Sequence, residues 1–408
     1  MRTLGRTLYL VLMLAVTAVA GWRTVDDLRF DPDRYGADPV GPDVREQLAA
    51  LSRGLSDGAA DRAAAQSRGG GLLTWALYGL ANVEFGLRSA PGSTSRDAAL
   101  TQARRALAAL EDPAFEAKLP SEGEPPFGVQ YQGWVQWLRG GVLLLQSPAD
   151  RDTATIQAFR AGCGRMAAAW RHSASPLLES EPGRALPADN VVGLAALRLH
   201  DQLFTPAYEP LVAAWLSAAR RHLDPATGLL PHDRRQGPRG ITTALTVRFI
   251  AELDPSFAQD LEVAFRAAFL DRLLVVPAIR EYPIGQRGPR DDDSGPLWGA
   301  ISPFATAAAI GAAQVVGDAP LAGALLRSAE LAGLPLPLDG GKRYAFGQAP
   351  LGDALLVWSK TARPWTRAIP ERYFEAVLPG WRLWWYGVLL AIALLGWFPV
   401  LERVRAGG

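Results

Sequence analysis

A single cysteine, Cys163, in 408 residues excludes an internal disulfide, and one thiol cannot assemble a thiolate metal cluster. Its setting, Gly162-Cys163-Gly164-Arg165-Met166-Ala167, reads as a buried helical position rather than a nucleophile. Histidine is scarce too, with four in the chain and none in HxH, HxxxH or HExxH spacing, so no metal is expected. Net charge is almost absent: 42 basic against 41 acidic residues leaves +1, which argues against nucleic acid as the main partner. No GxSxG, phosphate loop or strand-borne GxGxxG occurs, and Gly69-Gly70-Gly71 reads as a helix break. These absences point to neither a cofactor nor a serine nucleophile.

What is abundant is apolar sequence, 49% of residues against 20% charged, enough for a large core. Two runs lie at the ends. Residues 8–20, behind Arg2 and Arg6, are an apolar stretch suited to a signal-peptide core. With Gly21 and Trp22 they make a short uncleaved anchor, and both readings of 1–22 stand open. Leu383 to Leu401 carries no charge over 19 residues, and Trp381, Trp384, Trp385 and Tyr386 at its start form an interfacial aromatic belt. A transmembrane helix is expected over 381–401 and a cytoplasmic tail over 402–408. Arg403 and Arg405, with Arg2 and Arg6, place both ends in the cytoplasm. Residues 23–380 then lie outside the cytoplasm of a bacterial-type cell, in the periplasm or cell envelope. Linkers at 23–42 and 362–380 flank a domain at 43–361.

Within 43–361 apolar residues recur at three- and four-residue spacing and mark an all-α domain of about twelve helices, near 43–56, 72–88, 94–110, 132–147, 152–171, 190–204, 207–222, 240–252, 256–271, 298–316, 318–332 and 349–361. Caps and prolines open several, as at Ser93, Asp189, Thr205-Pro206, Asp254-Pro255 and Asp318. Short links alternate with long ones. Short links make antiparallel hairpins, so the long loops should gather on one face, the pattern of an (α/α)6 toroid.

Three loop segments carry a resemblance. Asp224-Pro225-Ala226-Thr227-Gly228-Leu229 resembles the D-P-x-T-G-L turn of six-hairpin toroids that act on sugars. Leu186-Pro187-Ala188-Asp189-Asn190 and Asp292-Asp293-Ser294-Gly295-Pro296 are similar to loop motifs of that superfamily. The resemblance implies a glycoside hydrolase-, lyase- or epimerase-like enzyme. Toroids of this kind also include terpenoid isomerases, dehydratases and cyclases.

The candidate site residues follow from the long loops. Asp291, Asp292 and Asp293 are adjacent like charges, so one can retain its proton and act as a general acid. Solvated loop acids capping a helix would look the same. Asp292 or Asp293 opposite Asp189, with His232 in a polar loop, are the expected catalytic groups. Asp189 and Asn190 also read as an N-cap. Asn190, Arg239, Glu281, Tyr282, Asp291, Tyr344 and Gln348 are expected to bind substrate. Tyr131 and Trp134 are expected either at the rim, stacking on a sugar, or in the core. The expectation is a membrane-anchored enzyme acting on a glycan or glycoconjugate by carboxylate acid/base chemistry, without a cofactor. Its rivals are an enzyme acting on a terpenoid or lipid and a non-catalytic envelope binding or assembly protein.

Overall fold

The computed structural model describes residues 2–36, 41–333, 335–338 and 341–406. It is mostly helical, with 65% of residues in 16 helices. Twelve of these occupy the expected positions: α2 (Pro42–Ser56), α4 (Gly70–Leu87), α5 (Thr94–Leu110), α7 (Gly128–Leu145), α8 (Thr153–His172), α9 (Pro187–Leu203), α10 (Glu209–Arg221), α11 (Gly240–Leu253), α12 (Pro255–Phe269), α13 (Pro303–Val316), α14 (Ala319–Ala332) and α15 (Pro350–Thr361). The others are α1 (Arg2–Arg29), α3 (Ala59–Gln66), the single turn α6 (Pro113–Glu116) and α16 (Trp381–Ala406).

Local chemistry sets the helix starts. Ser93, Asp152, Asp254, Ser302 and Asp318 each accept a first-turn backbone N–H, satisfying a donor that the helix itself leaves orphaned. Asp189 and Asn190 are not caps. Proline is favoured in the first turn, so α9 begins at Pro187 with Leu186 before it, and Asp189 and Asn190 fall inside that turn. Likewise α13 starts at Pro303 rather than near 298, because Trp298 and Ile301 pair across a tight turn first.

Six helices are almost wholly buried: α4, α7, α9, α11, α13 and α15. Each packs on the next in that order, and α15 packs back on α4. Gly133 and Gly193 let α7 and α9 approach closely, since a Cβ on Gly133 would lie 2.9 Å from the Gly193 nitrogen. Aromatic rings fill the space among these helices: Trp134 meets Phe249 and Trp358 edge-on at 5.4 and 5.9 Å, and Trp137 stacks on Trp365 at 4.3 Å. Amphipathic α5, α8, α10, α12 and α14 lie against them, as does α2, which contacts α4 and α15.

Two buried ionic networks tie distant segments. Arg248 bridges Glu84 at 2.7 Å and Glu252 at 3.0 Å, and Glu252 also accepts the backbone N–H groups of Trp365 and Thr366. Lys360 bonds Glu330 at 2.7 Å, Asp43 at 2.9 Å and the Tyr344 hydroxyl at 2.7 Å, with Lys342 on the same two carboxylates. Two lysines against two acids keep this second network neutral, which is what burial demands.

Two short hairpins interrupt the helical pattern and were not anticipated. β1 (Leu270–Leu273) pairs antiparallel with β2 (Val276–Ile279), and β3 (Leu336–Leu338) with β4 (Gly341–Arg343). At the ends, α1 and α16 are long and apolar enough to cross a membrane by length and composition, over Thr7–Arg29 and Trp381–Val400. They touch each other. Asp27 contacts Arg382 at 2.9 Å and Trp397 donates to Thr17 at 2.8 Å, so the pair is antiparallel and residues 2 and 406 lie towards the same end. The segments expected as linkers are packed. Tyr35 is fully buried, residues 37–40 lie outside the described residues, and Trp365, Phe374 and Val377 of the second segment join the core.

Candidate functional site: an arginine-bridged cluster of loop acids

The long loops preceding the buried helices touch one another. Val129 donates to the Glu179 carbonyl at 2.9 Å, Gly240 to that of Glu281 at 2.8 Å, and the Gln66 side chain to that of Gln348 at 3.1 Å. Glycine is required at Gly240, where a Cβ would lie 2.0 Å from the Arg280 oxygen. That close approach sets Glu281 over the start of α11.

The three adjacent aspartates splay apart. Asp291 accepts the backbone N–H groups of Asp293 and Ser294 and pairs with Arg239 at 2.7 Å. Asp292 points outward, 66% exposed, 3.6 Å from Arg68. Asp293 binds Arg184 and lies 3.6 Å from His232 Nε2. A different arginine answers each aspartate, so mutual repulsion is not what sets this loop's chemistry. Glu181 joins the same chain, 3.2 Å from both Arg68 and Arg184.

Behind this partly exposed layer lie buried titratable groups. Glu281, 1% exposed, stands 3.9 Å from Arg239. Burial and the nearby Asp291 charge push its carboxyl up to about 8, outweighing Arg239, so it is protonated at neutral pH. Asp189, buried beside Ser180 and Gln130, is raised to about 6, again mainly by burial. His232 is driven down to about 4 by burial and the charges of Arg239 and Arg184, and its Nδ1 lies 3.1 Å from the Thr242 hydroxyl. It is a neutral imidazole at pH 7. Arg239 also covers the Tyr282 ring at 4.4 Å, a cation–π contact.

His232, Asp291, Asp293, Arg239, Glu281 and Tyr282 therefore form one cluster, with Asp189 within electrostatic reach of its Arg184. The other candidates lie elsewhere. The fully buried Asn190 side chain bonds the Leu178 N–H and the Leu178 and Leu186 carbonyls, pinning the 173–186 loop. The Tyr131 hydroxyl serves Leu110 and Glu116, and Trp134 is a core residue, not a rim residue. Tyr344 belongs to the Lys360 network, and the Gln348 backbone carbonyl accepts from Gln66. Arg68, Glu181 and Arg184 escaped the sequence reading. The one local signal was the Glu181-Pro182-Gly183-Arg184 turn, whose ends pair with each other.

No metal was expected, yet His232, Asp291 and Asp293 offer ligand atoms all within 4.8 Å of one another. A neutral imidazole and two carboxylates suit a divalent ion. Arg184 and Arg239 already neutralise both carboxylates, however, and a cation would have to displace them.

A second feature adjoins the cluster in sequence. A cavity of about 150 Å³, almost wholly apolar, lies between the β1–β2 hairpin, α13, α14 and α15. Tyr344 and Asp353 line it, and Asp353, raised to about 7 chiefly by burial, accepts the Tyr344 N–H at 2.9 Å. No known family model matches this chain, and no curated protein is recognisably similar to it.

Proposed function

We propose that the protein is a membrane-anchored enzyme that works on a glycan or glycoconjugate outside the cytoplasm, by carboxylate acid/base chemistry. In this reading α4, α7, α9, α11, α13 and α15 are the inner ring of an (α/α)6 toroid, with α2, α5, α8, α10, α12 and α14 outside. The cyclic order of helix contacts supports it, as does the meeting of the long loops. Helices α1 and α16 form a retained two-span anchor. Their antiparallel pairing and the arginines at residues 2, 6, 403 and 405 favour cytoplasmic termini.

The observation that carries the chemistry is Arg239 between two carboxyls in different settings: Asp291, partly exposed and paired with it at 2.7 Å, and Glu281, buried 3.9 Å away with its carboxyl raised to about 8. A buried carboxyl that keeps its proton beside one held by a cation gives a division into acid and base. Glu281 would give a proton to the leaving oxygen while Asp291 or Asp293 takes one from water, giving hydrolysis, or from a sugar carbon, giving elimination; in epimerisation Glu281 would instead return a proton to the opposite face of the carbon that Asp291 or Asp293 deprotonates. Glu281 is covered by Arg239, so that side chain has to swing aside for substrate to reach the carboxyl.

Incubating the full chain with free and lipid-linked glycans tests this reading. Product should form with at least one class and vanish in the Asp291→Asn, Asp293→Asn double variant. A folded wild-type protein inert on all of them overturns it. The apolar cavity with Asp353 in its lining favours a second reading, acid-catalysed rearrangement of a terpenoid or lipid, for which turnover would require Asp353 instead.

A further inference from the structure

The apolar cavity borders the point where α16 meets the domain. Val276 is both a wall of the cavity and part of a buried cluster with Leu331 and Trp381, the first residue of α16, against which Val275, Leu378 and Trp385 pack. From the other anchor helix, Arg23 donates to the Leu331 carbonyl at 2.8 Å, so α1 and α16 converge on the end of α14 beside the cavity. The adjoining surface is apolar as well. Leu274, at the tip of the β1–β2 hairpin, is 77% exposed, and Trp298, itself a lining residue, is 44% exposed. Outside the terminal helices, the exposed large hydrophobic side chains among the described residues are Val263, Leu274, Ile284, Trp298 and Tyr373, and two of them, Leu274 and Trp298, adjoin this cavity.

We propose that this cavity receives the end of a hydrocarbon chain of a membrane lipid, which enters beside the base of α16. Three observations carry the proposal: the exposed lining surface is almost wholly apolar, the cavity shares Val276 with the docking site of an apolar helix, and Leu274 and Trp298 expose apolar side chains beside it. Dry apolar cavities of about this size take up apolar guests rather than water. Leu273, Val276 and Trp298 stand at the rim, while Phe304, Ala332 and Leu356 line it from α13, α14 and α15. The cavity and the acid cluster are joined by the short stretch 291–298. The inference rests on the membrane reading of α1 and α16, not on the reaction assigned to Glu281 and Asp291.

The full chain, reconstituted in phosphatidylglycerol vesicles carrying a trace of a lipid with a photoreactive group at its acyl terminus, is irradiated, and the labelled peptides are mapped. Label is expected on 273–278, 298–307 or 352–356, and Ala332→Phe, which fills the cavity, should cut it at least tenfold without altering flotation with the vesicles. If Ala332→Phe does not fold, the smaller intrusion Ala329→Leu takes its place, with a reduction of several-fold expected. Label confined to α1 and α16, or unchanged in the filled variant, overturns the inference alone. Failure of the wild-type protein to float with the vesicles overturns it together with the membrane reading.

Discussion

Arg239 holds Asp291 at 2.7 Å while standing 3.9 Å from the buried Glu281, so one guanidinium lies between two acids. Replacing it with methionine keeps the bulk over the Tyr282 ring but leaves Asp291 without its cation. Breaking a fully buried pair costs about 3–5 kcal/mol, and the partial exposure of Asp291 reduces that to about 2 kcal/mol here. Chemical denaturation at neutral pH should show this loss for Arg239→Met. A change within error would mean that solvent, rather than Arg239, compensates Asp291.

Glu281 predicts a pH dependence of the opposite kind. Its carboxyl is raised to about 8 in the folded chain against an ordinary value of 4.5, so the fold binds a proton the unfolded chain has released. The stabilising contribution is complete below about 4.5 and is lost as pH rises towards 8. Glu281→Gln keeps the neutral form at every pH. It should therefore gain on wild type between pH 5 and 8, by about 4 kcal/mol at the upper end. Parallel stability curves for the two proteins across that range would refute this assignment.

Much of the helical architecture can be read from residue patterns because its signals are local. Caps at Ser93, Asp254 and Asp318 and the three- and four-residue apolar spacing act within a turn or two of chain. The misreadings have local causes too. Prolines at 187 and 303 shift two helix starts, and the eight residues of β1 and β2 are too few to show a strand period. The site was legible only as a set of polar loops. Which arginine meets which aspartate depends on residues 68, 184 and 239 converging from three loops, and no spacing encodes that. Trp134 shows the same limit: a tryptophan near a helix start is equally consistent with a rim or a core, and packing against Phe249 and Trp358 decides it.

Asn190 should behave as a structural residue. Its amide makes three hydrogen bonds to the backbone of the 173–186 segment while fully buried. Asn190→Ala orphans the Leu178 N–H and removes two donors' worth of bonding, a loss of about 2–3 kcal/mol. Denaturant midpoints give the number. An unaffected midpoint with impaired ligand binding would instead return Asn190 to the substrate.

Lys360 predicts acid sensitivity. Lys360 and Lys342 hold Glu330 at about 2 and Asp43 well below the usual carboxylate range, against the burial that opposes both shifts. Depressed carboxylates stabilise the fold above their unfolded values, near 4, and that stabilisation is lost as pH falls towards 2. Lys360→Met removes the central cation and should cost about 3–5 kcal/mol at pH 7. Much of that difference should disappear by pH 3. A deficit independent of pH would point to packing rather than charge.

Arg184 and Arg239 stand where a divalent ion would otherwise neutralise Asp291 and Asp293. Manganese or zinc should therefore leave the thermal midpoint of the wild-type protein unmoved. The Arg184→Ala, Arg239→Ala pair should gain a metal-dependent rise, about 2.7 kcal/mol at a metal concentration one hundred times its dissociation constant. A rise in the wild type would make the cluster a metal centre.

The most direct test of the acid/base assignment is the rate of glycan turnover against pH for wild type and Glu281→Gln, each checked for native thermal unfolding. With Glu281 as the general acid, the wild-type rate falls at high pH with an apparent value near 8, where the carboxyl loses its proton. Glu281→Gln should be slower by about 10²–10⁴-fold and lose that descending limb. A folded Glu281→Gln protein with the wild-type rate and the same alkaline limb would contradict the assignment.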